Sequence, residues 1–115
     1  TLFPYTTLFR SQRMTDLMKL LENDPNDSFL LFAIAKEYEQ MSMPDQAEHY
    51  YLTLRKANPS YVGLYYHLAR LYEDTGKVED ALNIYDEGIF MANKMRDQHA
   101  LAELKNAKMN LELMM

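Results

Sequence analysis

Residues 24–59 read DPNDSFLLFAIAKEYEQMSMPDQAEHYYLTLRKANP, and residues 58–93 read NPSYVGLYYHLARLYEDTGKVEDALNIYDEGIFMAN. Shifted by 34 positions, the two stretches are identical at Pro25/Pro59, Leu30/Leu64, Ala35/Ala69, Tyr38/Tyr72, Glu39/Glu73, Ala47/Ala81 and Tyr51/Tyr85. Ile34/Leu68, Phe32/Tyr66, Lys36/Arg70 and Asp45/Glu79 keep size or charge at the same offset. A repeat of this period implies one supersecondary unit used twice. Within each unit the apolar residues follow helical spacing, as in Leu31, Ile34, Ala35, Tyr38 and Met41, then Ala47, Tyr51 and Leu54. Two helices per unit follow. They are separated by Ser42-Met43-Pro44 in the first unit and Thr75-Gly76-Lys77 in the second. Pro44 suits a first helical position and Gly76 a C-cap, while Asp27 and Ser60 follow Pro25 and Pro59 as candidate N-caps. The pattern predicts helices near 15–23, 27–41, 44–57, 61–75, 78–94 and 97–113.

These residues resemble the tetratricopeptide repeat (TPR) family, in which large and small residues alternate so that paired helices pack closely. The small slots are Ala35, Ala47, Ala69 and Ala81. The large ones are Leu31, Ile34, Tyr38 and Tyr51, then Tyr65, Leu68, Tyr72 and Tyr85, with Pro59 closing the first unit. Leu54 and Gly88 stand where a small Ala is usual, and Asn93 replaces the closing Pro. The resemblance implies an all-α fold, a right-handed α-solenoid of antiparallel helix pairs: two TPR units with a capping helix at each end. The phrase MPDQAEHYY and the tail DQHALAELKNAKMNLE are similar to small stand-alone TPR proteins of bacteria.

Leu17 and Leu20 lie 34 before Tyr51 and Leu54, so the first helix has the phase of a second helix from a preceding unit. Together with Leu21 they are expected to cover one end of the stack. Beyond Asn93 a two-residue slip sets Leu101 and Leu104 in line with Tyr65 and Leu68, implying a longer turn at Lys94 to Gln98 and a final helix. Polar Glu103, Lys105, Asn106 and Asn110 suit one wet face of such a cap. The expected organisation is a capping helix over 14–25, repeats over 26–59 and 60–93, and a capping helix over 94–115. Residues 1–11, TLFPYTTLFRS, resemble the translation of a sequencing-library adapter, so residues 1–13 are set aside as non-native. Upstream repeats lost at that junction would make the chain a fragment of a longer TPR scaffold.

The chain has 115 residues, 17 acidic and 12 basic side chains and no Cys. Dropping residues 1–13 removes Arg10 and Arg13 and no acid, leaving 10 basic against 17 acidic residues, net -7. An acidic balance argues against a nucleic-acid partner, which needs clustered Lys and Arg. No apolar run is long enough for a membrane span. The absence of Cys removes disulfides and thiolate metal sites and fits the reducing cytoplasm. His49, His67 and His99 are far apart with no metal-ligand spacing, and Gly63, Gly76 and Gly88 form no phosphate loop, so no metal, cofactor or catalytic residue is expected. The acids Glu37, Glu39, Glu73, Asp74, Glu79 and Asp80 read as helix faces and first-turn charges rather than catalytic pairs.

In TPR units the first helices line a concave face. On this chain the side away from the packing slots carries Phe29, Phe32, Lys36, Glu39 and Gln40, then Gly63, Tyr66, Arg70, Glu73 and Asp74. An exposed aromatic beside a cation suits peptide recognition, because Arg grips a carboxylate bidentately and Tyr adds apolar area with a polar tip. Lys36 and Arg70 have a second possible role, pairing with Glu39, Gln40, Glu73 and Asp74 on their own helices at about 0.2–0.5 kcal/mol each. TPR clamps for a C-terminal carboxylate use a set of Lys, Arg and Asn that Phe32, Gly63 and Tyr66 do not match. The expected function is a non-enzymatic module that binds a peptide or partner protein in this groove, as a monomer. A structural alternative is self-association into a homodimer, favoured by the apolar end Leu111, Leu113, Met114 and Met115. Nine Met residues could add an adaptable binding surface or simply fill gaps.

Overall fold

The apolar stripes are helical where their spacing predicts. The computed structural model describes residues 2–115, with side chains from Gln12 onward. Its elements are α1 (Leu2–Asn23), α2 (Ser28–Gln40), α3 (Pro44–Ala57), α4 (Gly63–Asp74), α5 (Val78–Met95) and α6 (Gln98–Met114). The fold is all-α and a helical repeat, with no strand among the described residues. The helices divide into two compact units, with the boundary in the chain between Ala57 and Asn58.

In the first unit α1 and α3 each pack on α2. Asp27 starts α2 by accepting the Leu30 N–H at 2.9 Å, satisfying one of the donors that a helix start leaves open. Pro44 opens α3, where its missing N–H costs nothing. Between them Ser42 turns the chain in the left-handed region, at φ 57°. The Met43 N–H then reaches the Tyr38 carbonyl at 2.9 Å and the Ser42 N–H reaches Glu39 at 3.0 Å. Met14 and Leu17 of α1 join Leu30, Ala33 and Ile34 in one core, with Met18, Leu21, Tyr38 and Tyr50 packed around it. Tyr50 stacks on Tyr38 with centroids 5.7 Å apart, and its hydroxyl donates to the Met18 sulfur at 3.7 Å. Ala35, Ala47, Tyr51 and Leu54 are fully buried. Each fully buried large side chain contributes about 1.5–3 kcal/mol.

The second unit repeats the device. Gly76 takes the left-handed position at φ 79°, with Lys77 N–H on the Tyr72 carbonyl at 2.8 Å and Gly76 N–H on Glu73 at 3.1 Å. All four residues lie 34 beyond their counterparts in the first unit. Helix α5 comes so close to α4 that a Cβ added to Gly88 would stand 2.6 Å from the Cβ of Tyr65. The Tyr65 hydroxyl donates to the Pro59 carbonyl at 2.5 Å. Helix α6 packs on α5 and touches α4, burying Leu104 and Leu111 and pairing Lys108 with Asp86 at 2.6 Å.

Several expectations are corrected. Helix α1 begins at Leu2 rather than near residue 15, because Pro4 falls in its first turn and nothing after it breaks a helix. The adapter resemblance of residues 1–11 falls on Thr1 and on side chains outside the described residues. Leu20 does not cover an end: Met14, Leu17, Met18 and Leu21 share one face, and Leu20 lies about 110° from its centre, 53% exposed. Ser60 does not cap α4. Its hydroxyl turns back to Asn58 Oδ1 at 2.9 Å, and the helix starts at Gly63 with no side-chain cap. The turn after α5 is shorter than Lys94 to Gln98. Arg96 at φ 58° and the Asp97 N–H on the Ala92 carbonyl at 2.9 Å reverse the chain in two residues, and Asp97 caps α6 through Ala100 N–H at 3.0 Å.

Candidate functional site

Each unit presents one first-helix face built from an aromatic, a cation and an acid. On α2, Phe29 is 67% exposed and Gln40 is exposed, whereas Phe32, Lys36 and Glu39 are half-buried. Phe32 does not stand free: its ring meets Tyr51 edge-on at 6.1 Å, so a bulky residue on a half-buried face leans on the core behind it. Glu39 lies beside the Tyr51 hydroxyl. Burial drives that hydroxyl well above the ordinary phenol range, and the Glu39 charge pushes it further, since a phenolate there would be desolvated next to an anion.

On α4 the expected residues are brought together. Tyr66 and Arg70 are one helical turn apart, so the Arg70 Nη1 donates to the Tyr66 hydroxyl at 3.3 Å and its guanidinium stands 6.0 Å from the ring centroid. The Arg70 Nε lies 3.9 Å from Glu73 Oε2, and that same oxygen accepts a hydrogen bond from the Tyr85 hydroxyl of α5. The result is a continuous chain Tyr66–Arg70–Glu73–Tyr85. Desolvation pulls the Arg70 guanidinium down, but Tyr66 and Glu73 outweigh it and hold it above its ordinary value. Burial, and then Glu73, raise the Tyr85 hydroxyl far beyond the ordinary phenol range. Arg70 therefore does pair on its own helix, yet its side chain remains 51% exposed. Gly63 and Asp74 are exposed and Tyr66 is half-buried.

Tyr51 and Tyr85 were assigned only to packing slots in the sequence. The missed signal is the joint repetition of Glu39/Tyr51 and Glu73/Tyr85, each separated by the same 12 residues. A tyrosine buried in a slot still needs a place for its hydroxyl. Among the described residues no cluster of His, Asp and Glu could hold a metal ion, and no helix is long and apolar enough to cross a membrane.

No family profile and no curated protein matches the chain. Solved structures do. A tetratricopeptide repeat domain protein from Salinibacter ruber is 36% identical, with 75% of this chain and 96% of that one covered at a TM-score of 0.71. The type III secretion translocator chaperone SycD from Yersinia enterocolitica covers 95% of this chain and 76% of its own at TM-score 0.81 and 15% identity. PcrH, solved in complex with the chaperone binding region of PopD, covers 95% and 83% at TM-score 0.83 and 12% identity. At such low identity the last two share the fold alone. The Salinibacter relative, matched over nearly its whole length, places this chain in the tetratricopeptide repeat family.

Proposed function

We propose that the chain is a non-enzymatic protein-interaction module of a bacterial cytoplasm, binding a peptide or partner protein with the first-helix faces of its repeats. The α2 face offers Phe29, Phe32, Lys36, Glu39 and Gln40, and the α4 face offers Tyr66, Arg70, Glu73 and Asp74. One observation carries this reading: a half-exposed arginine is braced by the Tyr66 ring and hydroxyl and by a glutamate that a buried tyrosine holds in turn. Bracing fixes a flexible side chain before a partner arrives, which lowers the ordering cost of binding. A protein of the same fold, PcrH, has been solved with a segment of its partner PopD. The bacterial setting rests on the Salinibacter relative and the cytoplasm on the absence of Cys.

The test is selection of peptides on the full chain from a random display library, followed by titration of a selected peptide. Replacing Tyr66 and Arg70 together by Ala should weaken that peptide at least about tenfold, the scale of a lost anchor pair, with the helical signal unchanged. Unchanged affinity in a folded double variant would sink the assignment of the α4 face.

A further inference from the structure

Helix α1 has the register of a second helix, and among the described residues no first helix stands against the positions that its phase assigns to one. Arg13, Leu17 and Leu20 stand 34 residues before Ala47, Tyr51 and Leu54, and twice that before Ala81, Tyr85 and Gly88. In both complete pairs these positions are sealed: Ala47, Tyr51, Leu54, Ala81 and Tyr85 are all 0% exposed. On α1 the Arg13 side chain is 58% and Leu20 53% exposed. The face between them is an open depression of about 370 Å³ lined by Gln12, Arg13, Asp16, Leu17 and Leu20.

Helix α6 shows an open face of the complementary kind. Leu101 and Leu104 hold the first-helix phase of Tyr65 and Leu68, two residues beyond a 34-residue step. The α6 face that this phase would turn toward a second helix is open, with Leu101 half-buried, Met109 51% exposed, and Lys105 and Glu112 exposed.

We propose that this α6 face of one copy seats on the α1 face of a second copy as an antiparallel helix pair, continuing the repeat between molecules. The register comes from α4 and α5, where Tyr65 lies against Gly88 and Glu73 meets Tyr85. Carried to α6 and α1, it sets Leu101 on Leu20 and Met109 on Leu17. The same register brings Lys105 opposite Asp16 and Glu112 opposite Arg13. Two apolar contacts thus alternate with two pairs of opposite charge, a complementarity that favours this partner and penalises others. Among the described residues Arg13 gives its Nε to Glu37, and in the proposed contact its remaining N–H groups face Glu112 of the second copy. Lys108, on the same side of α6, is drawn instead to Asp86 of α5. Because the two faces differ, the contact is heterologous and adds copies one after another.

The proposal goes beyond peptide recognition by the first-helix faces and is tested without any peptide. Sedimentation velocity of the full chain, from micromolar to millimolar concentration, should show an average mass that rises steadily. Asp16→Lys and Lys105→Asp should each weaken association about tenfold, because each sets like charges face to face. Mixing the two single variants should restore the open series with the two proteins alternating along it, since each contact between unlike variants then sets opposite charges face to face. The double variant Asp16→Lys/Lys105→Asp should regain the full series, and the melting temperature of every variant should match that of the parent chain. A monomer at all concentrations would overturn the proposal. So would association indifferent to the charge reversals, or a closed dimer that disappears when residues 113–115 are removed.

Discussion

Arg13 of α1 donates from Nε to Glu37 Oε1 of α2 at 2.6 Å, joining a largely exposed cation to a carboxylate whose side chain is only 9% exposed. The second oxygen of Glu37 is buried with no hydrogen-bond partner among the described residues. A buried carboxylate stripped of its counter-charge retains its desolvation penalty, so this bond matters more than an ordinary surface pair.

Cutting the chain at Met14, which the adapter resemblance recommends, would remove that partner. A chain starting at Arg13 and one starting at Met14 should therefore differ by about 1–3 kcal/mol in urea unfolding, discounted for the exposure of Arg13. In a Glu37→Gln background the difference should nearly vanish. Equal stability of the two chains with Glu37 intact would show that α1 docks through its apolar stripe alone.

The two repeats reach close helix packing by different exchanges of volume. Tyr65 faces Gly88 in the second unit, and the corresponding residues 34 earlier are Leu31 and Leu54, 1% and 0% exposed. Gly88→Ala should cost about 1–3 kcal/mol, since the new methyl meets the Tyr65 Cβ, which cannot swing away as a side-chain tip could. Tyr65→Leu should recover part of that loss. Ala47→Leu and Ala81→Leu should each cost a similar amount, as both sites are 0% exposed. Tolerance of all three enlargements in thermal melts would contradict the packing.

The repeat, the helix pairs and the small slots were legible because they depend on local periodicity and volume, both of which recur at a fixed offset. Asp27 and Gly76 were legible for the same reason: a cap is decided within a few residues. What escaped depends on direction or on distant contacts. Ser60 follows a proline as Asp27 does, yet the chain runs on through Tyr61 and Val62 before α4 begins, so its hydroxyl finds Asn58 instead. Leu20 looks like part of an apolar run until the helix angle separates it from Leu17 and Leu21. On the candidate faces, Tyr66 and Arg70 could be paired from their spacing of one turn. The link from Glu73 to Tyr85 crosses between helices and requires knowing which slot residue carries a hydroxyl.

Ser42 and Gly76 occupy the same turn position in the two repeats, at φ 57° and 79°. A side chain in the left-handed region pays a steric penalty that glycine avoids, about 1–2 kcal/mol, partly offset by the greater freedom of glycine in the unfolded chain. Ser42→Gly should consequently stabilise the protein by about 0.5–1 kcal/mol, and Gly76→Ala should destabilise it by about 1 kcal/mol. Denaturant midpoints decide the matter. A loss of stability in Ser42→Gly beside a loss in Gly76→Ala would mean that the two turns are not equivalent.

Tyr51 and Tyr85 make the fold sensitive to alkali. Burial is the main reason that both hydroxyls resist ionisation far beyond the ordinary phenol value of 10.0, and Glu39 and Glu73 add to it. In the unfolded chain both lose their protons near pH 10, whereas the folded chain retains them. Above that pH the unfolded state binds fewer protons, so stability falls as pH rises, by about 1.4 kcal/mol per pH unit for each tyrosine. Below pH 10 the contribution is complete and flat. Tyr85→Phe removes one of the two titrations, so above pH 10 its stability should decline with about half the slope attributable to this pair. At neutral pH the variant should lose about 1–2 kcal/mol, because Glu73 gives up a charge-assisted hydrogen bond. Urea unfolding of the parent chain and the variant between pH 8 and about pH 11.5 measures both effects, as the window straddles the unfolded-state titration. An identical alkaline slope in the two proteins would mean that the Tyr85 hydroxyl titrates alike in the folded and unfolded states, contrary to its bond with Glu73.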